Sequence, residues 1–320
     1  MKDKISFAVI GCGHQGAYHL ERLLGHPRTE VLAVVDPRQE ARDKAPSGVA
    51  KFGDIEELLR MADSERPDAV VVAVPTPLHE EVTRACLEQD MAVLLEKPMA
   101  HDLKTAVGLV EASRHGFLRI GHVERFNPAV VAAREMMDKP LFVEGHRLGP
   151  YSARMDQVDV VLDLMIHDLD IMLQWTGDDV AQVRAAGAAV ITGQLDIANA
   201  RIEFSKGCVA NLTASRASME PMRKLRVFCV SQYLSLDLKK GEVKRIQKKG
   251  DTIEAFTRGG ESDGYDAMTA QLSAFLDELT GKKVDIKVAR PEEAYDALKL
   301  AVSVREAVMK QAQRAGLKWT

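Results

Sequence analysis

Over the first third of the chain, short apolar runs alternate with stretches of helical period. Residues 5–10, 31–35, 69–74, 92–95 and 118–120 are β-rich and lack polar alternation, the pattern of strands buried on both faces. Residues 15–24, 55–61, 80–89 and 103–115 lie between them and read as helices, the last ending at Gly116 as a C-terminal cap. A βαβ rhythm of this kind predicts a doubly wound parallel sheet, the Rossmann arrangement.

After residue 122 the rhythm changes. Asn127-Pro128 opens a helix, with Asn as cap and Pro as first helical residue. A second helix is expected over 159–175, stopping at Gly177. Residues 195–204, 208–215, 225–230 and 234–238 are strand-like and separated by turn residues, which favours antiparallel pairing. Helices return at 267–279 and 291–315. The chain therefore reads as a Rossmann domain over 1–122 and an α+β domain over 123–320, without a flexible linker or internal repeat.

Composition narrows the class. The 320 residues are 46% hydrophobic and 28% charged, with a net charge of −4, which argues against general binding to nucleic acid or anionic membrane. No apolar run approaches the roughly 20 residues that span a bilayer. Residues 1–4 lead straight into a strand and lack the apolar core of a signal peptide. Cys12, Cys86, Cys208 and Cys229 lack metal-ligand spacing and read as small hydrophobes of a reducing cytoplasm.

Gly11-Cys12-Gly13-His14-Gln15-Gly16 follows the first strand and opens the first helix. The first glycine permits a tight turn, the second lets backbone approach a pyrophosphate, and the third lets helix pack closely on strand. Asp36 closes the second strand 20 residues after Gly16, where a carboxylate would hold the adenosine ribose. That carboxylate would repel a 2′-phosphate and so favours NAD over NADP, with Arg38 close by as the counter-indication.

Two further places carry chemistry. Glu96-Lys97-Pro98 leaves the 92–95 strand at its carboxyl end, where ligands gather in open α/β sheets, and Pro75-Thr76-Pro77 ends the 69–74 strand in the same region. The expected cofactor-binding set is Gly11, Gly13, His14, Gln15, Gly16, Asp36, Pro75, Thr76, His79, Glu96 and Lys97. In the 159–175 helix, Asp163, His167, Asp170 and Gln174 fall on one face of an otherwise apolar segment. Burying a carboxylate and an imidazole costs free energy unless they are paired or used. A structural Asp–His pair is as consistent with this spacing as a catalytic one, and no third ligand with metal spacing accompanies it.

Together these residues resemble the Gfo/Idh/MocA family of sugar and cyclitol dehydrogenases. The resemblance rests on residues 11–16, Glu96-Lys97-Pro98 and Asp163-x-x-x-His167-x-x-Asp170, with Met165 standing where many members have glycine. It implies a Rossmann domain followed by a domain with an open, mainly antiparallel sheet that mediates homodimer or homotetramer contacts. Residues 121–128, Arg147-Leu148-Gly149-Pro150 and residues 163–170 are similar to the family's nucleotide-sugar 3-dehydrogenases. That narrower likeness implies oxidation of UDP-N-acetylglucosamine at C3 for lipid A precursors, with an aminotransferase downstream.

A diphosphate needs cations, and Arg125, Arg147, Arg154, Arg216, Arg223 and Lys224 are available in the second domain. The expected substrate-binding residues are His122, Arg125, Asn127, Arg147, Asp163, His167 and Arg216. In the chemistry expected, a secondary hydroxyl loses its proton as its carbon passes hydride to NAD. His167 is the expected general base, Asp163 its orienter, and Lys97 the hydrogen-bond donor to the reacting oxygen, although Lys97 and His167 could exchange roles. A free sugar or inositol as substrate, and a non-catalytic NAD-sensing regulator, are the competing readings.

Overall fold

The computed structural model describes residues 4–152, 158–259 and 265–316. The chain divides into two compact units, Met1–Val123 with Asp266–Tyr295, and Glu124–Tyr265 with Asp296–Thr320. In the first unit, β1 (Ile5–Ile10), β2 (Thr29–Val35), β3 (Ala50–Phe52), β4 (Ala69–Val72), β5 (Ala92–Glu96) and β6 (Leu118–Gly121) form one parallel sheet. Their order is β3-β2-β1-β4-β5-β6, so the winding direction reverses between β1 and β4. The connecting helices are α1 (His14–Gly25), α2 (Gln39–Arg42), α3 (Ile55–Leu59), α4 (His79–Leu87) and α5 (Leu103–Ala112). The central strands are buried on both faces, which is why they show no polar alternation. β3 has only three residues, none fully buried, and so left no apolar run to read. Gly116 is not a left-handed cap: its φ of −173° is extended backbone, and a Cβ there would meet Leu87 Cδ2 at 2.8 Å.

The second unit holds α6 (Pro128–Met136) and an eight-stranded sheet. Its strands are β7 (Phe142–Leu148), β8 (Val180–Ala188), β9 (Ile197–Phe204), β10 (Val209–Ser215), β11 (Met222–Phe228), β12 (Gln232–Asp237), β13 (Glu242–Lys249) and β14 (Thr252–Gly259). The order is β14-β13-β12-β11-β7-β10-β9-β8, and every neighbour pair is antiparallel except β7 with β10. Alternate residues of the central strands are buried, so the sheet has one covered face. Phe142, Phe228 and Tyr233 stack in a row on the other face, at centroid spacings of 5.7 and 4.9 Å. The runs anticipated from sequence correspond to β9–β12. β7, β13 and β14 are rich in polar residues, β8 is mostly Ala, Val and Gly with Gln182 and Arg184 breaking its run, and every residue of β14 is exposed, which hid them from an apolar-run reading.

The helix expected over 159–175 has two parts. Val161–Met165 is a π-helical turn, in which Ile166 N–H reaches Val161 O five residues back, and α7 (Ile166–Thr176) continues it. Gly177, with φ +53°, ends α7 in the left-handed conformation.

Segment 266–295 belongs with the first unit, whereas the sequence reading placed it in the second domain. The physical reason is a set of contacts made by α8 (Ala267–Leu279) and the residues beside it. The fully buried Phe275 ring lies 6.2 Å from Phe7 and 5.4 Å from Phe117. Around it, Arg22 pairs with Asp266 at 3.1 Å, Arg28 with Asp277 at 2.5 Å, and Arg119 with Glu278 at 2.7 Å. Ile120 N–H donates to Ala289 O at 2.8 Å. The last helix, α9 (Pro291–Arg314), counts with the first unit as far as Tyr295 and with the second beyond it. Among the described residues no helix is long and apolar enough to cross a membrane.

Phe275→Ala should lower stability by about 3–5 kcal/mol, the cost of removing a fully buried aromatic ring. Urea unfolding measures it, and a loss below about 1 kcal/mol would show that α8 is not part of this core.

Candidate functional site

In the first unit β1 leads into the glycine turn. Gly11 sits at φ +88°, and a Cβ there would lie 2.6 Å from the Ala73 carbonyl, so both conformation and space require glycine. A Cβ on Gly16 would fall 1.7 Å from Gly11 O, which is how closely α1 packs on the turn. Gly13 is different, because its Cβ would meet only Arg38 Nη2, at 3.7 Å. Gly13 is the N-cap of α1, without a side-chain cap bond and without an acidic residue in the first turn. The positive end of α1 is thus left to an approaching anion, and this cradle fits the pyrophosphate of a dinucleotide. His14 and Gln15 are exposed in that first turn, and the His14 ring lies edge-on to Tyr18 at 4.8 Å.

Asp36 ends β2 and is 3% exposed. Its carboxylate accepts Cys12 N–H at 2.8 Å, Arg38 N–H at 3.0 Å, and Arg38 Nε and Nη2 at 3.0 and 3.1 Å. Burial alone would raise this carboxyl, but the bonds from Arg38 and Cys12 outweigh it and hold the group below the ordinary carboxylate value. The carboxylate is therefore charged, fixed, and set at the strand end where a ribose is held in this fold.

Lys97 follows β5 and is half-buried. Its neighbours are locked. Glu96 pairs with His19 of α1 at 2.5 Å, and that bond with the charges of His19 and Lys97 overcomes burial to keep the carboxyl below its usual value. His79 is 1% exposed; its Nδ1 faces the Pro98 and Met99 carbonyls at 3.0 and 3.3 Å, and its Nε2 faces Val74 O at 3.0 Å. Burial pushes this imidazole below its ordinary value. His79 was expected at the cofactor, but both of its ring nitrogens brace the exit of β4 against the residues after Lys97. The Lys97–Pro98 peptide is cis. Pro75 and Thr76 lie at the start of a short 3-10 turn (Thr76–Leu78) after β4. His122 is buried just beyond β6, in this same unit.

In the second unit His167 is the second residue of α7 and 9% exposed, and Asp163 lies half-buried in the π turn. Asp170 and Gln174 share a face as the helical spacing predicts, with Gln174 Nε2 donating to Asp170 at 3.1 Å. Asp163 lies within the π turn, so this stretch of the segment is not a regular α-helix.

Three of the expected substrate arginines serve the interior instead. Arg125 forks onto Asp170 at 2.8 and 2.5 Å. Arg147 grips Asp168 at 3.1 and 2.7 Å and Glu124 at 2.8 Å. Arg216 holds Asp196 at 2.9 Å and donates to Val158 O at 2.6 Å. All three are at most 5% exposed, since a buried carboxylate demands such a partner. Asn127 caps α6 through Ala129 N–H at 3.0 Å and donates to Leu238 O at 2.8 Å, a structural task. Arg154 lies outside the described residues. His19, Glu124, Asp168 and Asp196 were not anticipated as parts of the site. The available signal was the surplus of charged residues inside apolar stretches, such as Asp168 and Asp170 in residues 166–173.

Burial pushes the Asp168 carboxyl up, and Arg147 only partly reverses this. Glu124 is held below its usual value, because the charges of Arg147 and Arg223 and the bond from Asn127 outweigh burial. The Arg147 guanidinium between them is stabilised in its charged form.

Residues 5–119 match a family profile described as the oxidoreductase family GFO/IDH/MocA, NAD-binding Rossmann fold, and residues 136–234 match the GFO/IDH/MocA C-terminal domain. The chain is 32% identical over 285 residues to UDP-N-acetylglucosamine 3-dehydrogenase of Acidithiobacillus ferrooxidans, covering 86% of this chain and 88% of that one. The solved structure of that enzyme superposes with a TM-score of 0.85 at 31% identity, over 95% of this chain and 98% of that one. Inositol 2-dehydrogenase of Pseudarthrobacter chlorophenolicus is 28% identical over 231 residues, covering 66% and 67% of the two chains.

Two outcomes follow from this geometry. Asp36→Ala should weaken NAD binding by about 10- to 100-fold, the worth of a charged hydrogen bond, and narrow the preference over NADP. Titration of both cofactors at one salt concentration measures this, and unchanged NAD affinity would remove Asp36 from the cofactor site.

Arg216→Ala should cost about 3–5 kcal/mol of stability by leaving Asp196 buried without its cation. Asp196 supplies a pH signature. Burial favours its neutral form, but N–H bonds from Thr192, Ile191 and Val190 hold it well below the ordinary carboxylate range. A carboxyl depressed in the folded state stabilises above the unfolded value of about 3.9 and loses that contribution as pH falls further. The stability gap between wild type and Asp196→Asn should therefore be full at neutral pH and close below about pH 4. A gap independent of pH would show that Asp196 is not held as a charge.

Proposed function

Because the chain belongs to the Gfo/Idh/MocA family of NAD-binding oxidoreductases, we propose that it oxidises the 3-hydroxyl of UDP-N-acetylglucosamine to a ketone. The observation that carries this reading is the likeness to the Acidithiobacillus enzyme, which runs through both units at over 30% identity. Inositol dehydrogenases match as well, one of them over 93% of this chain, but at 24–30% identity. A 3-keto product fits consumption by an aminotransferase, and the thiols fit a reducing cytoplasm.

When bound, NAD supplies the hydride acceptor for the carbon that bears the hydroxyl. Gly11, Gly13 and Gly16 would hold its pyrophosphate on α1, and Asp36 its ribose. In this reading the chain's own groups manage the proton. His167 receives it from the substrate hydroxyl, and Lys97 donates a hydrogen bond to the same oxygen as negative charge develops there. Asp163 orients the imidazole or the sugar. Glu96 and His79 fix the backbone on either side of Lys97, so its amine starts from a defined place.

The test is incubation with NAD and UDP-N-acetylglucosamine while a carbonyl reagent traps the ketone for mass spectrometry. Trapped nucleotide sugar supports the reading. Turnover of inositol or a free sugar, with no oxidised nucleotide sugar in the trap, would overturn it. Lys97→Ala and His167→Ala should each lower turnover about 100- to 10,000-fold while leaving NAD affinity nearly intact. If they serve one proton, the double variant should lose less than the product of the single losses. The acid limb of the pH profile should vanish in His167→Ala and survive in Lys97→Ala. Near-normal turnover in both, with intact circular dichroism, would favour an NAD-sensing regulator.

A further inference from the structure

The ion pairs of the second unit leave one arginine of the Glu124 cluster, Arg223, with half of its side chain exposed. Arg223 is the second residue of β11, opposite Arg147 of β7 in register. Residues of β11 alternate between faces, and buried Leu225 and Val227 mark the face that Arg223 shares. Arg223 therefore stands beside the buried Arg147–Asp168–Glu124 cluster, and Asp168 is the chain neighbour of His167.

Three features separate Arg223 from the arginines around it. Its side chain is 53% exposed, whereas that of Arg147 is 3% exposed. Its contact with the cluster is loose, 4.0 Å from Nη1 to Glu124 Oε1. That carboxylate is already held by Arg147 at 2.8 Å and by Asn127 Nδ2 at 3.1 Å, so it keeps two donors without Arg223. Lys224, the next residue, lies on the opposite face near Asp237 at 4.0 Å. Arg223 lies near where β7 and β10 end. β7 and β10 run parallel and end together, where Gly149 N–H meets Ser215 O at 2.8 Å, Ser218 N–H meets Gly149 O at 3.1 Å, and β11 begins at Met222.

We propose that Arg223 binds the diphosphate of the nucleotide-sugar substrate and is the residue by which the second unit distinguishes such a sugar from an uncharged one. This rests on the substrate class proposed above. A guanidinium presents a planar fork that matches phosphate oxygens. Arg223 can turn from Glu124 to an incoming phosphate without leaving a buried carboxylate unpaired, because Arg147 and Asn127 stay in place. Arg125, Arg147 and Arg216 cannot do the same, since each would abandon a buried aspartate.

The experiment compares wild type, Arg223→Ala, Arg223→Lys and Arg226→Ala, the last a control on the opposite face of β11. The readouts are KM and kcat for UDP-N-acetylglucosamine, inhibition by UDP alone, NAD affinity and urea stability. Arg223→Ala should raise KM about 10- to 100-fold, the scale of a charge-assisted hydrogen bond, and weaken UDP inhibition by the same factor. Its kcat should stay within a few-fold, and NAD affinity and stability should be unchanged. Arg223→Lys should recover part of the loss, and Arg226→Ala should match wild type. Wild-type KM and wild-type UDP inhibition in Arg223→Ala would overturn this assignment while leaving the substrate class intact. A loss of kcat or of stability without a change in UDP inhibition would overturn it as well. A wild-type enzyme that neither binds UDP nor oxidises its sugar would overturn both.

Discussion

An aspartate inside a protein must meet a cation, find several N–H donors, or give up its charge, and the second unit is organised around that requirement. α7 carries Asp168 and Asp170 into the interior, and Asp196 lies in the loop before β9 with no exposure at all. Each is met by an arginine from a different element: Arg147 from β7, Arg125 from the turn before α6, and Arg216 from the end of β10. The Arg147–Asp168 pair ties α7 to β7 and the Arg125–Asp170 pair ties it to the turn before α6, so these two fix how α7 lies and where His167 sits. Apolar packing of Leu169, Met172 and Ile171 supplies most of the burial but little orientation, since it is not directional. Two-pronged ion pairs supply the direction.

The first unit solves a related problem with backbone. α1 approaches the β1 turn so closely that only glycine fits at Gly11 and Gly16, and its free N–H end is left facing outward at Gly13. The residues around Lys97 are held by side chains that reach across elements: His19 from α1 to Glu96, and His79 from α4 to carbonyls on both sides. An amine on a flexible four-carbon stem is a poor catalyst unless its root is fixed. The Glu96 and His79 contacts fix that root.

The first unit was largely legible from the sequence because buried parallel strands write themselves as unbroken apolar runs, and because Gly11–Gly16 and Asp36 carry a mechanism in their spacing. The second was half legible. Lysine-rich β13 and the fully exposed edge strand β14 give no run to follow. The π turn at Val161–Met165 has no compositional mark, so residues 159–175 read as one continuous α-helix. Segment 266–295 joined the first unit through Phe275 and three ion pairs formed over more than 150 residues of chain, which local pattern does not encode. The arginines were read as ligands for phosphate because burial cannot be seen in an isolated Arg. What their positions did show was a demand for cations, and that demand came from the chain's own aspartates.

Neutralising the interior has a consequence for recognition. The diphosphate of the proposed nucleotide-sugar substrate needs a cation at its own site, so where an available cation stands matters more than the net charge of −4. Cations already locked to buried carboxylates contribute little, because moving them exposes the cost of an unpaired buried charge. A guanidinium at the rim of a satisfied cluster has no such tie, and the rigid pairs behind it keep its strand in place as it turns. Reorganisation on binding is then confined to one side chain, which keeps the ordering cost of association small. The pairs that removed Arg125, Arg147 and Arg216 from the surface are, on this account, the support that lets Arg223 act alone.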